Sequence, residues 1–191
     1  DIKIDEERVA KVMDNLQNKY YLHPSNKFYE KVIFLPGSNL LCKPDCIDIQ
    51  RCDKLIKEGY IIKPHPITAP IFIAELKARY GDDKVLGKKE GGHELLLNAS
   101  EIGTAQNSEM GITAFLLGKK VQMVSHPVKR REKRLRTYES FYDAVAGTNA
   151  KETILKLFSA KNSGIIFNFD EDADERLERY LANFWEYEIK L

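Results

Sequence analysis

The chain has 191 residues, of which 43% are hydrophobic and 31% are charged, and its formal net charge is +1. This length is enough for one good-sized core or for two small domains. The near-neutral charge argues against a protein dedicated to nucleic acid or to membrane surfaces, although it is compatible with a local basic patch. No apolar run reaches the roughly 18 residues that span a bilayer, and no signal peptide precedes the first predicted helix. The sequence therefore predicts a cytoplasmic protein without a transmembrane segment.

The predicted elements begin with an amphipathic helix from Asp5 to Tyr20, which ends at His23-Pro24. A short buried strand, Lys31 to Leu35, follows and leads into the turn Pro36-Gly37-Ser38-Asn39. A strand that ends in such a turn can bring backbone amides close to a ligand, because glycine tolerates the required dihedrals. The turn is therefore a candidate ligand contact, and a plain turn is the alternative.

Three cysteines, Cys42, Cys46 and Cys52, lie within eleven residues of one another. Their spacing is not a usual zinc pattern, and no histidine follows at ligand distance. Cys46 and Cys52 fall on a predicted helix, where a thiol often behaves as a small buried apolar group. The sequence predicts structural thiols and no metal site, and an odd number of free cysteines fits a reducing compartment.

Helices and strands alternate in the next part of the chain. The predicted elements are a helix from Cys46 to Glu58, a strand from Tyr60 to Ile62, a helix from Pro70 to Tyr80, a short strand from Lys84 to Leu86, and a helical turn from Glu94 to Asn98 after the glycine-rich loop Gly87 to Gly92. This alternation is typical of helices that cross between neighbouring strands of one sheet.

The stretch from Asn98 to Val124 predicts a strand, a helix and a second strand in close succession. Asn107-Ser108 supplies oxygens that cap the helix start, with Glu109 in the first turn, and Gly118 occupies the position of a left-handed C-terminal cap. Such a unit places its two strands in parallel. Free amides at the helix start face the carboxyl end of a strand and form a candidate phosphate site. The alternative is an ordinary capped crossover helix.

From Lys31 to Val124 the pattern contains at least five strands, which alternate with helices. This is the signature of a doubly wound α/β fold with a Rossmann-like parallel sheet. The sequence predicts an N-terminal helix and linker at residues 1–30, a Rossmann-like nucleotide-binding domain at 31–170, and a C-terminal helix at 171–191. That last helix is expected to pack back on the domain or toward a missing partner domain.

Beyond the sheet the pattern changes. A helix is predicted from Ala150 to Ser159, a strand from Gly164 to Phe169 and a long helix from Asp170 to about Glu188. Acidic residues at the start of the long helix suit its dipole. Its predicted inward face carries Leu177, Tyr180, Leu181, Phe184 and Trp185.

A basic run lies between the last predicted strand of the sheet and the helix at Ala150. It contains six cations, Lys129, Arg130, Arg131, Lys133, Arg134 and Arg136, and one acid, Glu132. The default interpretation is a solvated surface, and the alternative is a site for an anionic acceptor, including nucleic acid. Tyr138 and Tyr142 are able to stack on bases, but core positions explain them more simply.

Lys63-Pro64-His65-Pro66 is the most unusual short string in the chain. It follows an apolar strand directly, so its side chains are expected to project from the carboxyl edge of the sheet, where ligands bind in this architecture. The two prolines keep the backbone extended and fix the directions of Lys63 and His65. A lone histidine at a strand end is usually structural, yet a rigid lysine and histidine at a sheet edge favour a functional site.

This string, with Asn107-Ser108-x-x-Gly111 about forty residues later and the run from Ala114 to Val121 (AFLLGKKV), resembles the carboxyl-terminal half of GT-B glycosyltransferases. The likeness is to the capsule-polysaccharide group in particular, which includes the Kdo-transferring enzymes. Lys120 stands where that group usually has proline. Similar strings occur in the glycerophosphotransferases that build teichoic acid. The resemblance covers about Lys31 to Val124.

The resemblance implies transfer of a sugar from a nucleotide-sugar donor to an acceptor hydroxyl, in polysaccharide synthesis. It implies that Lys63 and His65 act as the catalytic pair and face the donor phosphates. Ser108 and the amides behind it would also hold phosphate, and Glu109 would contact the ribose. Gly37 and Ser38 would line the cleft from the first strand. The nucleotide-sugar is the substrate, and no further cofactor is implied.

GT-B enzymes have two Rossmann-like domains, and this chain has room for one such domain with extensions. No general base is evident in the sequence, and the other half of such enzymes commonly supplies it. We therefore expect a fragment, a protein that pairs with a second glycosyltransferase domain or subunit, or a non-catalytic nucleotide-binding or assembly module. An upstream extension of about 150 to 200 residues in the native chain would favour the enzyme.

Overall fold

The computed structural model describes residues 2–21, 28–37, 47–105, 108–126, 150–167 and 169–188. The chain divides into two compact units. We call Asp1–Asp14 with Arg130–Leu191 the terminal unit, and Asn15–Lys129 the sheet unit. Across the ranges just given, no helix has both the length and the apolar character needed to cross a bilayer. The domain division expected at residues 30 and 170 stays a prediction.

Four strands form the sheet of the sheet unit. They are β1 (Lys31–Phe34), β2 (Ile61–Lys63), β3 (Glu101–Thr104) and β4 (Lys120–Met123). Their order across the sheet is β2-β1-β3-β4, and every pairing is parallel. This confirms the predicted parallel α/β sheet and is compatible with a Rossmann-like fold.

The fifth predicted strand, Lys84 to Leu86, is wrong in its extent. Asp82–Lys84 form a 3-10 turn, and Val85 makes a single parallel bridge to Ile62 of β2. The amide of Leu86 donates to the Ile62 carbonyl at 2.8 Å, so the chain follows β2 for only two residues. Three charged residues precede Val85, and a parallel strand that is buried on both faces does not accommodate them.

Seven helices lie within the described residues. They are α1 (Glu6–Tyr21), α2 (Ile49–Lys57), α3 (Pro70–Tyr80), α4 (Gly92–Asn98), α5 (Glu109–Leu116), α6 (Ala150–Ser159) and α7 (Ala173–Glu188). The bounds of α6 are those predicted from the sequence. Gly118 follows α5 with a φ of 74°, which confirms the left-handed cap expected there.

Helices cover both faces of the sheet, because successive strand residues point to opposite sides. On one face Val32 and Phe34 of β1 pack in a cluster with residues of α4 and α5. On the other face Ile33 of β1 packs in a cluster with residues of α2, and residues of α3 pack against that cluster. Gly103 of β3 lies so close to Ile33 that a Cβ would come within 2.9 Å of the Ile33 Cγ1. The sheet is thus a doubly covered layer.

The thiol of Cys52 belongs to the core on the α2 face of the sheet. Burial raises its pKa to about 12, and the nearby Asp48 and Asp53 carboxylates add to the effect. Cys52 therefore behaves as the predicted structural thiol, since a protonated, buried sulfur is inert. Cys42 and Cys46 lie outside the described residues.

A buried ion network organises the terminal unit. Arg8 Nε donates to Asp170 Oδ1 at 2.8 Å, and the other oxygen of Asp170 accepts the amide of Phe167 at 2.8 Å. Arg176 Nε lies 3.9 Å from Asp170 and 2.8 Å from Asp172. The predicted strand from Gly164 to Phe169 is wrong, because residues 165–167 pair with no strand in the described part of the chain. The backbone of two of these residues contacts the network instead: the Ile165 carbonyl accepts Arg8 Nη2 at 3.0 Å, and the Phe167 amide donates to Asp170.

The predicted inward face of the last helix is wrong at Leu177 and Leu181. Leu177 and Leu181 are 46% and 40% exposed, whereas Arg176 is 3% exposed. Tyr180, one helical turn beyond Arg176, lies against Gly164. The buried Asp170 carboxylate draws Arg176 inward, since a buried charge is stable only with a partner, and this turns the leucines away. The side chains of Phe184 and Trp185 lie outside the described part of the chain.

Candidate functional site

The strand order creates a topological switch point between β1 and β3. The chain leaves β1 toward β2 on one side and later returns to form β3 on the other. In sheets of this kind, ligands bind outside the carboxyl ends of the strands at such a point. Phe34, the last residue of β1, lies between Lys63 of β2 and Thr104 of β3 in the register. The residues that follow these three strands define the carboxyl edge discussed below.

The structure places the described site residues at this one edge. Gly37 follows β1 and is buried, Lys63 ends β2, and His65 comes two residues later. Ser108 and Glu109 follow β3 at the start of α5. Ser38 and the whole basic run from Lys129 to Arg136 lie outside the described residues, as do Asn107, Tyr138 and Tyr142.

His65 is an exposed side chain on a fixed backbone. The carbonyl of His65 accepts the amide of Thr68 at 2.9 Å, and its ring Nδ1 accepts the amide of Ile67 at 3.3 Å. Partial burial lowers the pKa of the imidazole, and the positive charge of Lys63 lowers it further. A neutral ring that accepts at Nδ1 carries its proton on Nε2. Within the described residues no acceptor meets that N–H, so His65 presents a donor outward.

Lys63 is 3% exposed, unlike His65. Its ammonium donates to the carbonyl of Pro64 at 2.7 Å and to the carbonyl of Lys88 at 3.1 Å. Burial lowers the pKa of this lysine, and the Glu90 carboxylate opposes the shift. Two of the three donors of Lys63 are therefore used inside the protein. The direct contact with phosphate that the resemblance implies stays a prediction.

The first turn of α5 has a serine at the N-cap position, but the serine side chain makes no capping hydrogen bond. Ser108 is the N-cap residue, as predicted, with extended backbone dihedrals. Its hydroxyl makes no capping hydrogen bond, and Glu109 is exposed in the first turn. A helix start carries partial positive charge and favours an anion. The Ser108 hydroxyl is therefore available to a ligand at the end of β3.

The loop from Gly87 to Gly92, which sequence reasoning noted only for its glycines, belongs to the same edge. It begins beside β2 at Leu86, and its Lys88 carbonyl accepts from Lys63. At its other end, a Cβ on Gly92 would lie 3.8 Å from the Phe34 ring and 3.6 Å from Met110 of α5. The loop thus runs from β2 past the end of β1 to the first turn of α5. The sequence signal for this loop was the pair Lys88-Lys89, which stands in a glycine-rich stretch soon after the apolar pair Val85-Leu86.

No protein-family model, curated protein or solved structure matches the chain. The function is therefore inferred from the geometry of the carboxyl edge and from the motifs that lie on it.

A further histidine, His126, stands at the outer end of the same edge, beyond β4. Its Nδ1 lies 3.8 Å from Asp48, which caps α2 by accepting the amide of Arg51 at 3.0 Å. The amide of Asp48 donates to the carbonyl of Val124 at 2.8 Å. The polar groups beside His126 therefore have partners within the protein. In the sequence His126 stands two residues after the last predicted strand of the sheet, which ends at Val124. Its position away from the switch point makes it a natural control for His65.

A separate depression of about 490 Å³ lies in the terminal unit. Its lining includes Ser159, Lys161, Asn162 and Arg179, and none of the predicted site residues is among its described lining residues. Lys161 and Arg179 lie 2.8 and 2.6 Å from the Glu175 carboxylate. Lys161 also lies 3.3 Å from Asp172, so both cations of the depression are already held in ion pairs within the protein.

Proposed function

We propose that the sheet unit binds the nucleotide part of a nucleotide-sugar and that the protein is a glycosyltransferase, or the donor-binding half of one. The observation that carries this proposal is the position of His65 and Ser108 on either side of β1 at the switch point. Both follow parallel strands at the edge where nucleotides bind in doubly wound sheets.

The spacing of the strands suits a diphosphate. The ends of β2 and β3 are separated by β1, and two inter-strand spacings amount to about 10 Å. His65 offers a ring N–H from one side, and the Ser108 hydroxyl and the α5 helix start lie on the other. Hydrogen bonds from donors of this kind to a charged phosphate are stronger than those between neutral groups.

The chemistry asked of these groups is stabilisation of a leaving nucleotide. In the proposed reaction the acceptor oxygen forms a bond to the anomeric carbon, and the bond from that carbon to the phosphate oxygen breaks. The electron pair of the broken bond stays on the phosphate, where the Nε2–H of His65 donates to it. The proton of the acceptor hydroxyl passes to a base that this site does not supply. A second domain or subunit would supply that base and hold the acceptor against the donor.

A non-catalytic nucleotide-binding module is the second candidate, and one observation favours it. In the described part of the chain no carboxylate is hydrogen-bonded to His65 or to Ser108, so the site holds no positioned general base. The acidic residues of the segments that flank the site include Glu90, Glu94 and the exposed Glu109. The chain alone is therefore expected to bind nucleotide and to transfer sugar slowly or not at all.

Calorimetric titration of the 191-residue chain with CMP, UDP, CDP and GDP tests the proposal. At least one nucleotide is expected to bind, and His65→Ala is expected to weaken it about tenfold, the effect of losing one hydrogen bond to a charged group. His126→Ala is the matched control and should leave the affinity unchanged. Absence of heat with all four nucleotides would contradict nucleotide binding.

A transfer assay separates the two candidate functions. If the protein is a glycosyltransferase, addition of the upstream domain or partner should allow sugar transfer, and His65→Ala should then lower the turnover. Nucleotide binding without transfer under those conditions would favour the non-catalytic module. Multiple turnover by the 191 residues alone would place the acceptor site within this chain and contradict the need for a second domain.

A further inference from the structure

The buried ammonium of Lys63 connects two segments that are 25 residues apart. It donates to Pro64 in its own segment and to Lys88 in the loop from Gly87 to Gly92. We call this pair of hydrogen bonds the Lys63 clamp. Because Leu86 is already bonded to β2, the clamp extends the attachment of the chain by two residues into the loop.

The clamp is costly to open. A lysine that is 3% exposed has lost most of its hydration, and only hydrogen bonds to the charged form compensate for that loss. If the ammonium turned toward a ligand, it would give up both carbonyls and leave them without their donor. A phosphate contact that uses either of these two donors therefore releases the loop, and only the third N–H of Lys63 lies outside the clamp.

The loop itself carries two cations that are better placed to meet a ligand. Lys89 is exposed and Lys88 is half-buried. Neither forms an ion pair with any carboxylate in the described part of the chain, whereas Lys77 and Lys84, which precede the loop, both do. The loop is bonded to Lys63 of β2 through the Lys88 carbonyl, and its far end, Gly92, lies near Met110 of α5, so Lys88 and Lys89 are carried by a segment that joins the two sides of the proposed site.

We propose that Lys63 is a positioning residue, which holds the Gly87 to Gly92 loop so that Lys88 and Lys89 contact the phosphates of a bound nucleotide. The identity of the ligand rests on the proposed function, whereas the role of Lys63 in holding the loop does not. The inference reassigns the phosphate contact from the lysine of the KPHP string to the two lysines of the loop.

Three variants test it, with one matched control. Lys63→Met removes the clamp and keeps the length of the side chain. Lys119→Met is the control, because Lys119 likewise donates from a partly buried site to two carbonyls, those of Leu97 at 2.7 Å and Ala99 at 2.6 Å, at the other edge of the sheet. The double variant Lys88→Ala/Lys89→Ala removes the proposed contacts. Lys63→Arg keeps a cation that is able to donate to both carbonyls.

Two measurements are made on each variant. Hydrogen exchange of the amides of residues 87–92 in the unliganded protein reports on the clamp. Calorimetry with UDP and with inorganic pyrophosphate reports on the ligand. Lys63→Met is expected to speed exchange in the loop about tenfold and to weaken both ligands. The double variant should weaken both ligands about tenfold with unchanged exchange, and Lys119→Met should change neither quantity.

Several results would overturn the inference. One is weaker UDP binding by Lys63→Met with unchanged exchange in the loop, since Lys63 would then touch the ligand directly. Another is wild-type affinity in the double variant. If Lys63→Met does not fold, Lys63→Arg decides: protected loop amides with intact binding support the clamp, and protected amides with lost binding contradict it. Failure of all nucleotides and pyrophosphate to bind the wild-type protein refutes the proposed function, and exchange in the loop still decides the clamp.

Discussion

The two edges of the sheet treat their polar groups in opposite ways. At the amino edge the Glu101 carboxylate accepts the Tyr60 hydroxyl at 2.7 Å and lies 3.2 Å from Lys31 and 2.8 Å from Lys120. At the carboxyl edge the Nε2 of His65 and the hydroxyl of Ser108 meet no partner among the described residues. The same strands therefore end in a closed network on one side and in open donors on the other.

This difference separates stability from function. Groups that satisfy one another stabilise the fold and leave little for a ligand, whereas rigid donors without internal partners are available for binding. The buried Lys63 and the partly buried Lys119 illustrate the same contrast. Lys119 ends α4 by donating to its last carbonyls, while Lys63 holds a loop beside the open donors. Substitutions at the amino edge should thus change stability, and those at the carboxyl edge should change binding.

The largest expected effect is at Glu101. Glu101→Gln removes the charge that lies between lysines of the two neighbouring strands, and we expect it to lower the free energy of unfolding by about 2 kcal/mol. The value is reduced by the exposure of Lys120, which lets solvent screen the pair. Urea denaturation at pH 7 measures it, and nucleotide affinity should stay unchanged. Glu109→Gln, at the exposed start of α5, is the control; an equal loss there would erase the contrast between the edges.

The pH dependence of stability sharpens the same point. Hydrogen bonds from Lys120, Tyr60 and Lys31 lower the pKa of Glu101 to about 2 from its usual 4.5. Because the folded pKa is the lower one, this contribution is complete above pH 4.5 and is lost as the pH falls toward 2. The difference in unfolding free energy between wild type and Glu101→Gln should therefore shrink over that range. A difference that is constant from pH 6 to pH 2.5 would contradict the assignment.

A smaller effect of opposite sign is expected at Thr68. Its side chain is 1% exposed, and its hydroxyl has no hydrogen-bond partner in the described part of the chain. Thr68→Val replaces that hydroxyl with a methyl group of similar shape, so it should raise the free energy of unfolding by about 1 kcal/mol. The amide of Thr68, which donates to His65, is retained. Thermal unfolding measures the gain, and a loss of stability would show that the hydroxyl has a partner.

The smallest effect on stability is expected for His65→Ala. The side chain is exposed, and it contributes one long hydrogen bond to the Ile67 amide. We expect a change in unfolding free energy below about 0.5 kcal/mol, which is typical of surface positions. Denaturant unfolding of the variant checks this beside its weakened nucleotide binding. A loss as large as that of Glu101→Gln would mean that His65 is structural.

The fold was largely predictable because its signal is local. Apolar strands alternate with capped helices, so the parallel sheet can be predicted from short stretches of sequence. Gly118 likewise indicates the end of α5, because the left-handed conformation needed there favours glycine. The contacts that could not be predicted from the sequence are tertiary contacts, which no local pattern encodes. Arg176 faces inward because the carboxylate of Asp170, which also pairs with Arg8, is buried beside it. Likewise, Lys63 meets the carbonyl of Lys88, and no spacing rule relates the two residues.

The most direct test of the account is a map of nucleotide binding on the backbone amides by NMR. Titration with UDP, CDP, GDP and CMP is expected to shift the amides of residues 65, 67, 68, 87–92 and 108–111 with at least one nucleotide. The amides of residues 99–101 and 118–120 at the amino edge should remain unchanged. Shifts concentrated at the amino edge, or none with any of the four nucleotides, would contradict the assignment of the carboxyl edge as the binding site.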